Sequence, residues 1–290
     1  MGDELRKRGT SALNRLIVTA DDFGLAPEVN EAVEIAHRTG ILSAASLMVA
    51  SPGAADAVRR ARAMPTLAVG LHIVLVEARP ALPPERIPDL VGPDGMFRTD
   101  MARLGLDIAL WPSVRRQLAA EITAQFAAFA ATGLRLDHVN AHKHFHLHPT
   151  IGAQVIAIGQ KFGARAIRVP TEPVAVVRGI EPAAATLSSS LLAQWTRLLR
   201  AQARRAGMAV PDAVFGLAWS GAMTNRRIAS LLRHLPDGIV EIYTHPAAAN
   251  AFAGHAPGYR YTDELAALTD AECVAAARQA GHHLGGFAES

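Results

Sequence analysis

Cysteine is almost missing from this 290-residue chain: the single thiol, Cys273, excludes an internal disulfide and fits a reducing compartment. Aromatic residues are scarce, at 5%, and charge is nearly balanced, 29 Lys and Arg against 26 Asp and Glu for a net +3. The basic residues are scattered among acidic ones, which suggests neither a phosphate-tracking groove nor a base-stacking platform, so nucleic acid is not an expected partner. No stretch is apolar for the roughly 20 residues a membrane span needs, and the opening "MGDELRKRGTSALNR" lacks the apolar centre of a signal peptide. The expectation is a soluble, cytoplasmic protein with a disordered leader over 1–14. Also missing is a Gly-rich phosphate loop after the first strand candidate, where "LIVTADDFG" has two aspartates instead of glycines.

What the chain does have is a hydrophobic half of its residues, enough for a large core. From residue 16 onward, short β-rich runs alternate with helical ones. The strand candidates are "LIVTA" (16–20), "SAASLMV" (43–49), "LAVGLHIVL" (67–75), "LDHVNAH" (136–142), "AIRVP" (166–170), "VFGLAWS" (214–220), "GIVEIYTH" (238–245) and, more weakly, "HHLGGF" (282–287). Helices are expected from Pro27 to Gly40, after a Ser51 cap with Pro52, from Ser113 to Ala131, and from a Thr269–Glu272 capping box to Gly281. This alternation predicts a distorted (β/α) barrel with seven or eight parallel strands, TIM-barrel-like, as one domain over 15–290. A doubly wound open sheet is the alternative. The Pro- and Gly-rich stretch from Arg79 to Met101 reads as a long loop over one end of the barrel.

Five of the twelve histidines crowd into "LDHVNAHKHFHLHP" (136–149). On an extended strand His138, Asn140, His142, His144, His146 and His148 would share one side. Same-side residues lie about 6.6 Å apart while a zinc–imidazole bond is about 2.1 Å, so one ion can take only one or two of them as ligands. The remaining ligands must come from elsewhere, and the strand ends of a barrel supply them. Asp21 and Asp22 follow the first strand, His72 lies late in the third, His142 closes the fourth, Arg168 lies in "AIRVP", Trp219 ends "VFGLAWS" and His245 ends "GIVEIYTH". A carboxylate and two imidazoles, Asp22, His72 and His142, can hold a divalent cation and leave positions open. Asp21 is then a base candidate and His245 an acid or oxyanion partner, a set of parts for metal-assisted hydrolysis of an amide or ester. Arg168 is a candidate substrate contact or an ion-pair partner, and Trp219 a candidate substrate contact.

The motifs "TADDFGLAPEVNEAV", "VGLHIVLVEARPAL", "LDHVNAHKHFHLHP", "IRVP" and "YTHPA" resemble, in order and spacing, the YdjC-like carbohydrate deacetylases, more narrowly their hopanoid-biosynthesis-associated (HpnK) branch. The resemblance implies removal of an acetyl group from an N-acetylated amino sugar, and in that branch from an N-acetylglucosaminyl hopanoid. It carries the metal ligands onto Asp22, His72 and His142, the catalytic aspartate onto Asp21 and an assisting histidine onto His245. The cofactor is one divalent ion, Zn or Mg first, with Mn or Co as alternatives. The chain departs from the wider family in having Asn140, Ala141 and His142 where Asp-Ser-His is frequent, and His144 and His146 are read as neighbours of the ligands. "LLAQWTRLLRAQARR" (191–205) sets Leu191, Leu192, Trp195, Leu198 and Leu199 among arginines at helical spacing. It is either an ordinary barrel or subunit-contact helix, with a homodimer in view, or a surface resting on an anionic bilayer at the inner face of the cytoplasmic membrane. The rival readings are a deacetylase of soluble oligosaccharides such as chitooligosaccharides, another hydrolase using the same centre, and a non-catalytic glycolipid-binding protein.

Overall fold

The computed structural model describes residues 14–183 and 190–288; apart from Asn14, the expected leader lies outside them, as does the Leu191 side chain. The chain runs β1 (Arg15–Phe23), α1 (Pro27–Thr39), β2 (Ala44–Leu47), α2 (Ala54–Arg62), β3 (Ala68–Ile73), α3 (Met101–Leu110), α4 (Pro112–Ala131) and β4 (Val139–Ala141). A 3-10 stretch, His142–Leu147, leads to α5 (Pro149–Lys161), α6 (Val174–Ile180), α7 (Ser190–Arg205), β5 (Ala213–Phe215), α8 (Asn225–Leu232), β6 (Ile239–Thr244), α9 (Tyr261–Thr269), α10 (Ala271–Gln279) and β7 (His283–Leu284). The strands form one parallel sheet in the order β4-β3-β2-β1-β6-β5, with β7 pairing the first two residues of β1. This is a parallel α/β half-barrel, consistent with a distorted (β/α) barrel.

Strands buried on both faces read as continuous apolar runs, and β1, β3 and β6 do so: Leu16, Ile17, Val18, Leu71, Ile73, Val240 and Ile242 are all fully enclosed. The helices cover the sheet with amphipathic faces, as α1 does through Val29, Val33 and Ala36. "AIRVP" does not form a full strand. Ala166 and Ile167 make isolated parallel bridges to Ala209 and Val139, and Thr171 accepts from the Val214 amide, so this segment runs between β4 and the approach to β5.

Two expected helix caps differ. Helix α2 starts after Gly53 rather than Ser51. In α10 the cap is Asp270, whose carboxylate accepts from the Glu272 and Cys273 amides, while the Thr269 hydroxyl turns back to Leu265. The larger departure is in the histidine stretch. The strand ends at Ala141, and Lys143 and His144 take left-handed φ values of 52° and 53°. The even alternation expected from His142 to His148 is therefore broken, and those imidazoles scatter in different directions.

The long connection after β3 is anchored on α4. Buried Gln125 accepts from the Val74 amide and donates to the Val74 carbonyl, and buried Glu121 accepts from the Ala81 and Leu82 amides. Two polar side chains inside a helix thus fix the loop that leaves the strand carrying His72.

Candidate active site

Adjacent residues in a regular strand point to opposite faces, yet Asp21 and Asp22 both enter one polar centre. A bulge resolves this: the β1–β2 register slips between Ala20 and Phe23, and Asp22 adopts a left-handed φ of 62°. Such a conformation costs a non-glycine residue on the order of 1–3 kcal/mol and is a feature of functional sites.

Asp22, His72 and His142 come together from the ends of β1, β3 and β4. The Asp22 Oδ1 atom lies 3.3 Å from His72 Nε2 and 3.1 Å from His142 Nδ1, and the two ring nitrogens are 3.4 Å apart. A tetrahedron with bonds of about 2.0–2.1 Å has edges of about 3.3–3.4 Å, so these three donor atoms fit a divalent cation. Asp22 and His72 are buried and His142 is half-buried, which leaves one side accessible.

The hydrogen positions follow from the partners. Asn140 Nδ2 donates to Asp21 Oδ1 and to Ser46 Oγ, both at 2.9 Å. Its Oδ1 therefore faces His72, whose Nδ1–H donates to it at 2.7 Å, leaving Nε2 as the nitrogen turned toward Asp22 and His142. Burial would lower the His72 pKa, but the Asp21 and Asp22 carboxylates outweigh it and raise it above the ordinary imidazole value. The pocket thus attracts positive charge at Nε2.

Beneath this centre Arg168 is fully enclosed. It donates to both Asp21 oxygens, with Nη2 to Oδ1 at 3.0 Å, and through Nε to Glu241 Oε1 at 2.8 Å. Burial would raise the Asp21 carboxyl, but Arg168 and then His72 hold it well below the usual carboxylate range. Asp22 is likewise held low, against burial, chiefly by His142. The guanidinium also sits 4.7 Å above the Tyr243 ring. Arg168 is thus placed as the ion-pair partner of Asp21, away from the accessible face.

His144, His146 and His245 stand around this centre, within electrostatic range of Asp21. His245 follows β6 between the rings of Tyr243 and Tyr259, its Nδ1 without a hydrogen-bond partner among the described residues and its backbone amide donating to Glu264. His144 Nε2 meets the Tyr243 hydroxyl at 3.1 Å. His146 is enclosed and donates from Nε2 to the Arg168 carbonyl at 2.9 Å, and burial pushes its imidazole down to about 4. Trp219 is buried, with Arg227 stacked on its ring at 5.3 Å.

Beside the centre, at the same end of the sheet, lies a mainly apolar cavity of about 720 Å³. Phe145, Leu147, His148, Leu192, Trp195 and Leu217 line it, and His144 and Lys143 border it next to His142. Sequence reasoning missed Ser46, Glu241, Tyr243 and Glu264. A charged Glu241 inside the apolar run "IVEIYT" is the signal that could have found one of them, since a fully buried carboxylate needs a cationic partner.

The half-barrel and its three-ligand polar centre define an α/β protein with a candidate metal site at the carboxyl ends of its strands. The chain belongs to the YdjC-like protein family, whose pattern matches residues 15–279. It is 29% identical over 263 residues to a carbohydrate deacetylase of Brevibacillus brevis, covering 89% of this chain and 92% of that protein. It is 32% identical over 257 residues to the human carbohydrate deacetylase, covering 83% and 75%. Among solved structures, an Enterococcus faecalis V583 protein whose suggested role is cellobiose-phosphate cleavage superposes with a TM-score of 0.73 at 25% identity, covering 95% and 98% of the two chains. A lactam utilization protein of Thermus thermophilus shares the fold at 17% identity, with a TM-score of 0.50 over 94% of this chain and 100% of that one.

Proposed function

We propose that this protein is a metal-dependent N-deacetylase acting on an N-acetylated amino sugar, and specifically on an N-acetylglucosaminyl hopanoid. The observation that carries the reaction is the convergence of Asp22, His72 and His142 beside a second, separately held carboxylate, Asp21. Asp22, His72 and His142 would hold a divalent cation, which when bound would supply polarisation of the acetamide carbonyl and a lowered pKa for a water molecule.

Asp21, kept ionised by Arg168 and oriented by Asn140, accepts the proton of the attacking water. Arg168 in turn is fixed by Glu241, so the base is held by a buried ion-pair network rather than by solvent. His245, between two tyrosine rings, donates a proton to the departing amine as acetate leaves. The apolar cavity bordering His144 supports the lipid-linked substrate, because a sugar alone would leave its Leu, Phe and Trp lining without a partner.

The test is acetate release from an N-acetylglucosaminyl hopanoid and from chitooligosaccharides. Chelation should abolish release, and Zn²⁺ should restore it better than Mg²⁺, because two of the three donors are nitrogens. Asp21→Asn should reduce kcat by about 10²-fold or more. Turnover that survives both treatments would sink the mechanism, and a preference for chitooligosaccharides would sink the lipid assignment alone.

A further inference from the structure

Behind His72 a line of buried polar groups continues away from the centre. Asn140 Nδ2 donates to Ser46 Oγ at 2.9 Å, and Ser46 Oγ lies 2.9 Å from His138 Nε2. His138 Nδ1 lies 2.9 Å from Asp137 Oδ2. The Asp137 carboxylate also accepts from the Phe287 amide at 3.0 Å and the Ala288 amide at 3.1 Å. Ser46, His138 and Asn140 are fully enclosed and Asp137 is 8% exposed.

The partners permit one consistent arrangement of hydrogens. A carboxylate only accepts, so His138 carries a hydrogen on Nδ1. Ser46 Oγ receives from Asn140, and its own hydrogen points to the remaining partner, His138 Nε2. The donors then run head to tail: His72 to Asn140, Asn140 to Ser46, Ser46 to His138 and His138 to Asp137. Aligned in one direction, each bond polarises the next, and the chain ends on a negative charge.

The space for this line is built into the backbone. A Cβ on Gly70 of β3 would stand 2.5 Å from three atoms of the His138 ring, and one on Gly286 would stand 2.6 Å from Asp137 Oδ1. The Phe287 ring stacks on His138 with centroids 4.0 Å apart. Two glycines and an aromatic cover thus seat groups that touch neither Asp22 nor His142.

We propose that Ser46, His138 and Asp137 are positioning residues that act through Asn140: they lock His72 with its hydrogen on Nδ1 and strengthen Nε2 as a ligand, while fixing the Asn140 amide against Asp21. This rests on the metal-site reading above for its consequence, but the lock on His72 is a property of the protein alone.

The experiment has two readouts on purified protein. The first is Co²⁺ affinity, by absorbance titration against a competing chelator, in wild type, Ser46→Ala and Asp137→Asn. The second is the ring ¹⁵N signals of His72 in the metal-free proteins, which report the tautomer. At a pH alkaline enough to keep the ring neutral, wild type should show a single Nδ1–H pattern. Ser46→Ala should bind Co²⁺ about tenfold more weakly and show an averaged His72 pattern; Asp137→Asn, remote from the ligands, should shift both in the same direction. If Ser46→Ala does not fold, Asp137→Asn carries the test. Wild-type affinity together with an unchanged His72 pattern in a folded variant would overturn the proposal. Failure of wild type to bind Co²⁺ would overturn the metal-site reading instead, and the nitrogen signals would still decide the lock.

Discussion

Arg168 shows how much one side chain organises here. It is enclosed between two carboxylates, Asp21 and Glu241, with Nε 2.8 Å from Glu241 and Nη2 3.0 Å from Asp21. Arg168→Met should therefore leave two uncompensated buried acids and lower stability by about 3–5 kcal/mol, measured by urea unfolding. Arg168→Lys keeps the charge but loses the planar fork, so kcat should fall while most of that stability is retained. Equal losses of stability in the two variants would show that the geometry of the guanidinium fork, and not its charge alone, is what Asp21 and Glu241 need. In the sequence, Arg168 is visible only as a charged residue in an apolar run, and the choice between substrate contact and ion pair depends on Glu241, 73 residues away.

At the scale of elements, α7 shows how a helical stripe can be legible while its partner is not. Of the apolar positions read from the sequence, Leu199 is buried, Leu192 packs on the core and Trp195 is half-buried against the cavity, whereas Leu198 is 39% exposed. The stripe faces the protein, and the outer side carries exposed Arg197, Arg204 and Arg205. If this outer side approaches an anionic bilayer, as the lipid-linked substrate proposed above would require, then reversing the three arginines to Glu should abolish co-sedimentation with anionic vesicles. Each basic residue contributes about 1 kcal/mol at such a surface. Co-sedimentation equal to wild type would rule out this side as the contact. The histidine stretch failed in the opposite way. Its period of two is a strand signal, but the left-handed pair Lys143 and His144 ends the strand at Ala141, and nothing in the local pattern announces that turn. The Asp21–Asp22 pair was legible as chemistry and illegible as geometry, because the bulge that turns both inward depends on pairing with β2.

Across the whole molecule, Phe287 and Ala288 are tied through Asp137 to the residues leading into β4. Burial would raise its carboxyl, but His138 and the Phe287 and Ala288 amides outweigh that and lower it below the ordinary value of 3.8. A group with a depressed folded-state pKa contributes stability that is present above its unfolded value and lost as pH falls through the folded one. Acidification below about pH 4 should therefore release this segment, seen as faster hydrogen exchange at the Phe287 and Ala288 amides, and Asp137→Asn should flatten the dependence. Unchanged exchange across that range would remove Asp137 as the tie. The alternation of strands and helices made the parallel α/β plan legible from the sequence, because runs such as "LIVTA", "LAVGLHIVL" and "GIVEIYTH" are rich in Val, Ile, Leu and Ala and recur between helical patterns. The tie itself was not, since a carboxylate that caps two amides 150 and 151 residues away leaves no local periodicity.

Gly70 and His138 occupy one volume between them, since the ring fills the place where a side chain on Gly70 would project. Neither position is therefore free to vary alone. A lineage that enlarges residue 70 must first shrink residue 138, and passing through either single step would disturb the partner of Ser46. The two sites behave as one heritable unit, and across related sequences their identities should change together or not at all.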